Sequence, residues 1–168
     1  ATHGLSQKAL AQHKSVEFLN SYRPQYFTER PRVRRAYSAT TWLNRYAGLP
    51  FHTFDDLLEK RAVNQDITNE MIEKEYGIPA LEPEDAGKIL AERSAHVDLL
   101  LFEYFLTDTY AHKRNEQKVS ALLTVIDRFV GGILAQAALD ETLFIITSDH
   151  GNIEDAATSA HTRSPVPL

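Results

Sequence analysis

Five residues in the last third of the chain have the types and spacing of metal ligands. Asp108 and His112 stand four apart in "TDTYAH", Asp149 and His150 are adjacent in "SDHGN", and His161 follows in "AHTRS". Carboxylate oxygens and neutral imidazole nitrogens together suit zinc, manganese or a similar divalent ion, and two such ions make a clamp for in-line phosphoryl displacement. Each residue also has a plainer use. Asp149, Gly151 and Asn152 are turn formers that tolerate left-handed backbone angles. An isolated aspartate such as Asp108 is more often a cap, and His112, just before "KRN", reads as a surface histidine. The turn explanation leaves His150 unexplained. His3, His13, His52 and His96 have no comparable setting and read as structural or solvent-facing.

The ligand reading depends on the elements that bring these residues together. Val97 to Thr107, "VDLLLFEYFLT", is a near-continuous apolar run, as expected of a strand buried on both faces. From Glu116 to Ala138 the apolar positions Val119, Leu122, Leu123, Ile126, Phe129, Val130, Ile133, Leu134 and Ala137 follow helical spacing. Thr142 to Thr147 is strand-like again. Strand, helix, strand predicts a βαβ unit with two adjacent parallel strands and a right-handed crossover. Ligand sites of open parallel sheets gather beyond the carboxyl ends of the strands, where Asp108 and Asp149 both fall. Two carboxylates and three imidazoles then converge on one edge.

Upstream, Ser15 to Asn20 is a short strand candidate. It leads into an arginine-rich connection from Arg23 to Arg35, in which Arg23, Arg30 or Arg32 is suited to an anionic substrate, although a basic loop is usually just solvated. Thr40 to Ile78 reads as short helices, with Thr53 and Asp66 as caps, and "EPEDAGKILAERSAH" as one more with proline in its first turn. The organisation expected is a partial core with a helical cap or connection over residues 1–96 and a C-terminal metal-binding βαβ part of the same core over 97–168.

Composition narrows the class. The 168 residues carry a formal net charge of −5, which argues against nucleic acid as a partner. The apolar run from Val97 to Leu106 is interrupted by Asp98 and Glu103, so no membrane span is expected. With no cysteine there is neither a disulfide framework nor a thiolate metal site, and the seven histidines are the main ligand reservoir.

Taken in order, "TDTYAH", "SDHGN" and "AHTRSPVP" resemble the C-terminal half of the alkaline-phosphatase superfamily, in the branch of cofactor-independent phosphoglycerate mutase and related metalloenzyme-domain proteins. The resemblance covers roughly Val97 to Leu168. It implies an α/β, parallel-sheet alkaline-phosphatase-like core and a two-metal phosphotransferase or phosphohydrolase of mutase or phosphatase type. By position it implies that Asp108, His112 and His161 hold one ion, manganese or zinc, and that Asp149 and His150 contribute to a second. The substrate implied is a small phosphorylated or other anionic molecule, and the expected location is cytoplasmic. The family also uses an aspartate from its first strand and a serine or threonine nucleophile. No equivalent of either is recognisable here, so the chain is expected to be an inactive fragment lacking the N-terminal strand and nucleophile segment. The alternative is a non-catalytic metal-binding or partner-binding module, or an inherited polar cluster without a role. Ala111 stands where the family has glycine, and Ser164 where it has asparagine.

Overall fold

The computed structural model describes residues 4–27 and 37–166; Arg30, Arg32 and His3 lie outside them. In chain order the described elements are α1 (Leu5–Ala11), β1 (Val16–Phe18), a 3-10 turn (Pro24–Tyr26), α2 (Ala39–Ala47), α3 (Phe54–Leu58), α4 (Glu70–Tyr76), α5 (Pro83–Ser94), β2 (Leu99–Leu101), α6 (Leu106–His112) and α7 (Glu116–Gln136). The architecture is mixed α/β with a small parallel sheet.

β1 is the axis of the core. On one side it pairs in parallel with β2, Val16 opposite Leu99 and Phe18 opposite Leu101. On the other its continuation forms parallel bridges, Asn20 with Val63 and Ser21 with His52. With both backbone edges taken, Leu19 and Val63 are fully buried, and they share one apolar cluster with Ile67, Ala86, Ile89, Phe129 and Ile133. Phe54, Leu57, Ala62, Ile72 and Ile78 form a second cluster around the short helices.

The short helices carry their own start and stop signals. Thr53 and Asp56 form a capping box at α3, and the hydroxyl of Ser38 accepts from the Thr41 amide at α2. Gly48 and Gly77 end α2 and α4 in the left-handed conformation. Asp66 also serves as a cap from further back than expected, accepting the Met71 amide at 2.8 Å and the Asn69 amide at 3.0 Å while buried.

The predicted βαβ unit is not what forms. Of the run Val97 to Thr107 only Leu99–Leu101 is strand, and the chain turns into α6 from Leu106. Thr142 to Thr147 forms no regular element and joins no sheet among the described residues. Phe144 packs on the main cluster, whereas Leu143, Ile145 and Ile146 are 85%, 57% and 48% exposed. Apolar composition thus marked a segment able to pair, but pairing needs a neighbouring edge, and the parallel partner of β2 is β1.

The long helix forms nearly as predicted but packs chiefly against α5. Gly87 and Gly132 allow this closeness: a Cβ on Gly132 would lie 2.1 Å from the Glu84 carbonyl oxygen, and one on Gly87 would lie 2.2 Å from that of Phe129. Arg128 adds charged contacts to Glu82 and Glu84, each at 2.6 Å. Gln117–Gln136 is long and apolar enough to cross a membrane, a span not expected from the sequence. Its Asp127 and Arg128 lie near the middle of the span, where charge in hydrocarbon is costly, and the glycine contact and Arg128 pairs are those of a helix packed in a fold.

Two outcomes follow. Gly132→Ala is expected to lower stability by about 1–3 kcal/mol through overpacking. Gly131→Ala, one residue away with no atom within 4 Å of its added Cβ, is expected to raise it by about 1 kcal/mol through helix propensity. Urea denaturation of the two variants checks the opposite signs.

A pH effect is expected at Asp56. Burial opposes its charge, but the Thr53 amide, the Arg61 guanidinium and His52 prevail and hold the carboxyl at about 2. A depressed folded pKa gives stability that is present above the ordinary carboxylate range and lost as pH falls through about 4 towards 2. Asp56→Asn should therefore destabilise the protein clearly at pH 7 and much less at pH 2.5 in thermal melts.

Candidate metal centre

α6 supplies the first two donors. Asp108 lies in its first turn and His112 ends it, four residues apart and so on one helix face. His112 Nε2 stands 3.1 Å from Asp108 Oδ1. Ala111 between them is buried in ordinary helical conformation, so the position needs no glycine on grounds of backbone angle.

The remaining donors come from the loop after Thr142. Gly151 and Thr162 form an antiparallel bridge, with the Thr162 amide donating to the Gly151 carbonyl at 2.8 Å. That closure sets the residues just outside it, His150 and His161, side by side. Their rings stack with centroids 3.6 Å apart and planes at 19°. Two contacts from the end of α6 dock the loop: the His112 ring nitrogen Nδ1 to the Ser159 carbonyl, and Arg114 to the Ala157 carbonyl at 2.8 Å.

These elements bring Asp108, His112, His150 and His161 together. His161 Nε2 is 3.2 Å from Asp108 Oδ1 and 3.1 Å from His112 Nε2, and His150 Nε2 is 3.9 Å from Asp108 Oδ1. One donor atom each from Asp108, His150 and His161 falls within 4.8 Å of the others. Asp149 is not part of this group; its side chain is 87% exposed, and its oxygen lies 3.5 Å from His150 Nε2. The convergence arises from a helix face and a clasped loop, and not from the ends of two adjacent strands as expected.

The donor chemistry fits a divalent cation. A carbonyl oxygen only accepts, so the contacts of His112 Nδ1 with Ser159 and of His150 Nδ1 with Gly151 place the ring proton on Nδ1. The neutral ring then presents an Nε2 lone pair. At His112 that lone pair faces a carboxylate oxygen at 3.1 Å, an arrangement that repels unless a proton or cation lies between. A backbone carbonyl on the far nitrogen is also the usual way a ligating imidazole is oriented. Donors bound at about 2.0–2.2 Å with angles of about 90–110° stand about 2.8–3.6 Å apart. The Asp108, His112, His161 triangle, with edges of 3.1, 3.2 and 3.1 Å, has that size.

Two residues of this region were not foreseen as site residues. Asn152, buried at 5% exposure, donates from Nδ2 to Asp108 Oδ1 at 2.6 Å. Its place in "SDHGN" was seen, but as a turn former. Glu103, half-buried, accepts the Thr40 hydroxyl; burial raises its carboxyl pKa, and the nearby charge of Asp149 adds to the rise. Its signal was an acid inside an apolar run. Of the other candidates, His52 is held between Glu17 at 2.8 Å and Asp56 at 3.6 Å, a structural role, and His13 and His96 are exposed.

The fold is mixed α/β, and its convergent oxygen and nitrogen donors form a candidate divalent-metal site. Residues 58–168 match the family model described as the Metalloenzyme superfamily, and the chain belongs to that family. It is 31% identical over 98 residues to a 2,3-bisphosphoglycerate-independent phosphoglycerate mutase of Dinoroseobacter shibae, which is 54% of this chain and 19% of that protein. It is 36% identical over 83 residues to a phosphopentomutase of Levilactobacillus brevis, which is 44% of this chain and 21% of that protein. The chain thus spans about a fifth of the length of these curated relatives. No solved structure matches it.

In a zinc titration of the 168-residue chain followed by calorimetry, Asp108→Ala or His161→Ala should weaken binding by more than the roughly 10–100-fold typical of losing a ligand's supporting contact. His96→Ala should leave it unchanged.

Proposed function

We propose that this chain is the metal-holding part of an alkaline-phosphatase-type core, and that the intact protein is a two-metal phosphoryl-transfer enzyme acting on a small phosphorylated substrate. The observation that carries this is the triangle of Asp108 Oδ1, His112 Nε2 and His161 Nε2, with edges of 3.1, 3.2 and 3.1 Å that match metal-like donor separations. Family membership and the two mutase relatives support the reaction class.

In this proposal Asp108, His112 and His161 hold one ion, and His150 with Asp149 reaches the second; manganese and zinc both suit the donors. Such ions supply Lewis-acid stabilisation of phosphoryl oxygens and lower the pKa of a hydroxyl nucleophile. The chain's own residues orient and preorganise. α6 fixes the spacing of Asp108 and His112, and the clasped loop holds His150 and His161 against them. Three hydroxyls next to the donors serve the local structure: Ser148 donates to the His150 carbonyl, Thr109 to the Phe105 carbonyl, and Thr162 to Glu154. In this proposal the nucleophile comes from outside the described residues.

The 168 residues alone should show negligible turnover of phosphoglycerate or phosphopentose with manganese or zinc. A version extended at both ends should be active and lose that activity on Asp149→Ala or His161→Ala. Robust metal-dependent phosphate release by the isolated chain would overturn the assignment of the nucleophile. An extended protein that binds metal but turns over no phosphate ester would favour a non-catalytic metal-binding module.

A further inference from the structure

The loop between the two stacked histidines holds an arrangement that ligand chemistry alone does not require. Glu154 reaches back across it. One carboxylate oxygen accepts the Asn152 amide at 2.6 Å, and the other accepts the Thr162 hydroxyl, on the opposite arm. The Ser164 amide donates to the same Thr162 hydroxyl oxygen at 3.2 Å. Thr162 is the bridge partner of Gly151 and Asn152 follows Gly151, so one side chain ties both arms just where they leave the donors His150 and His161. A side chain at residue 151 would displace this contact: a Cβ would lie 2.2 Å from Thr162 Oγ1 and 2.6 Å from Glu154 Oε1.

Asn152 is the second half of the arrangement. Its backbone is held by Glu154, and its side-chain amide is committed to Asp108 Oδ1, the oxygen that faces the imidazoles. This contact fixes the orientation of the amide, since a flipped Asn152 would set oxygen against carboxylate oxygen. Its own Oδ1 is then buried without a hydrogen-bond partner among the described residues, a cost a protein tolerates where the other end of the group has a task. One residue thereby links the position of Asp108, on α6, to the loop that carries the other two donors.

We infer that Glu154 and Asn152 are positioning residues of the metal centre: Glu154 closes the loop so that His161 lies over His150, and Asn152 holds the Asp108 carboxylate at the donor set. Glu154 acts on the imidazoles through the clasp and Asn152 on the carboxylate through a direct hydrogen bond, so their removal has separable effects. This inference rests on the metal-binding proposal for its purpose, but its geometric content does not need an ion.

The experiment is made on the 168-residue chain with histidine rings labelled with nitrogen-15, first without metal and then with cobalt(II) alone as probe. Without metal, Glu154→Ala should abolish the ring-current shifts of the His150 and His161 protons, Glu154→Gln should keep part of them, and Asn152→Ala should keep them largely. With cobalt, both Glu154→Ala and Asn152→Ala should weaken binding about 10–100-fold and alter the visible absorption of the bound ion. Far-ultraviolet circular dichroism of the metal-free variants should remain that of the parent chain. Unchanged histidine shifts in Glu154→Ala would overturn the clasp. An unchanged cobalt affinity and spectrum in Asn152→Ala would overturn the role of Asn152. If the parent chain binds no cobalt or zinc, the metal proposal fails and with it the role of Asn152 at a metal, while the metal-free shifts still decide whether Glu154 positions the two rings.

Discussion

Three imidazole nitrogens held 3.1, 3.2 and 3.9 Å from one carboxylate oxygen of Asp108 form a crowded grouping that the surrounding fold has to maintain. Each of these atoms is well solvated in an unfolded chain, and together they offer lone pairs to one another with few protons to share. At His112 and His150 the ring proton is drawn to a backbone carbonyl on the far nitrogen, which turns the other nitrogen inward. The hydrogen bond from Asn152 partly offsets the crowding at Asp108. Under the metal-binding proposal, the cost of gathering these donors is met on folding and not on binding.

The scaffold meets that demand by making the supporting elements rigid where they approach the donors. α6 leads directly into α7, and α7 is fixed against α5 by glycines that allow the backbones to touch. Arg128 reinforces this contact with two carboxylates at the start of α5. α5 in turn packs with β1 and β2 around Leu19, Val63 and Ile89. The donors on α6 are therefore referred back to the centre of the core through only two helix contacts. The donors on the loop rely on hydrogen bonds instead, from Arg114 and His112 on one side and from Glu154 within the loop.

Asp149 and Glu103 show a different balance. Asp149 is largely in solvent and stands beside His150 without joining the tight group. Glu103 is partly buried, its backbone gripped by the Asn20 side chain at 2.7 and 2.8 Å and its carboxyl by Thr40. Its raised pKa follows from burial first and from the charge of Asp149 second.

The sequence by itself made legible the candidate donors and the local structure of most helices. Asp108, His112, Asp149, His150 and His161 are visible as carboxylates and imidazoles in ordered motifs, although each also has a plainer use as cap, turn former or surface residue, and the capping box at Thr53 and the proline at the start of α5 are local signals read from neighbouring residues. The tertiary structure decided which strand pairs with which. "VDLLLFEYFLT" is equally apolar as strand or as helix start, and the choice between them depends on what lies alongside: β1 accepts only Leu99–Leu101, and from Leu106 the chain coils so that Asp108 and His112 share a face. Thr142 to Thr147 has the composition of a strand but no edge to pair with among the described residues. Asn152 and Glu154 were invisible as site residues for the same reason. Their roles are hydrogen bonds to Asp108 and Thr162, 44 and 8 residues away, and such partners exist only once the loop has closed.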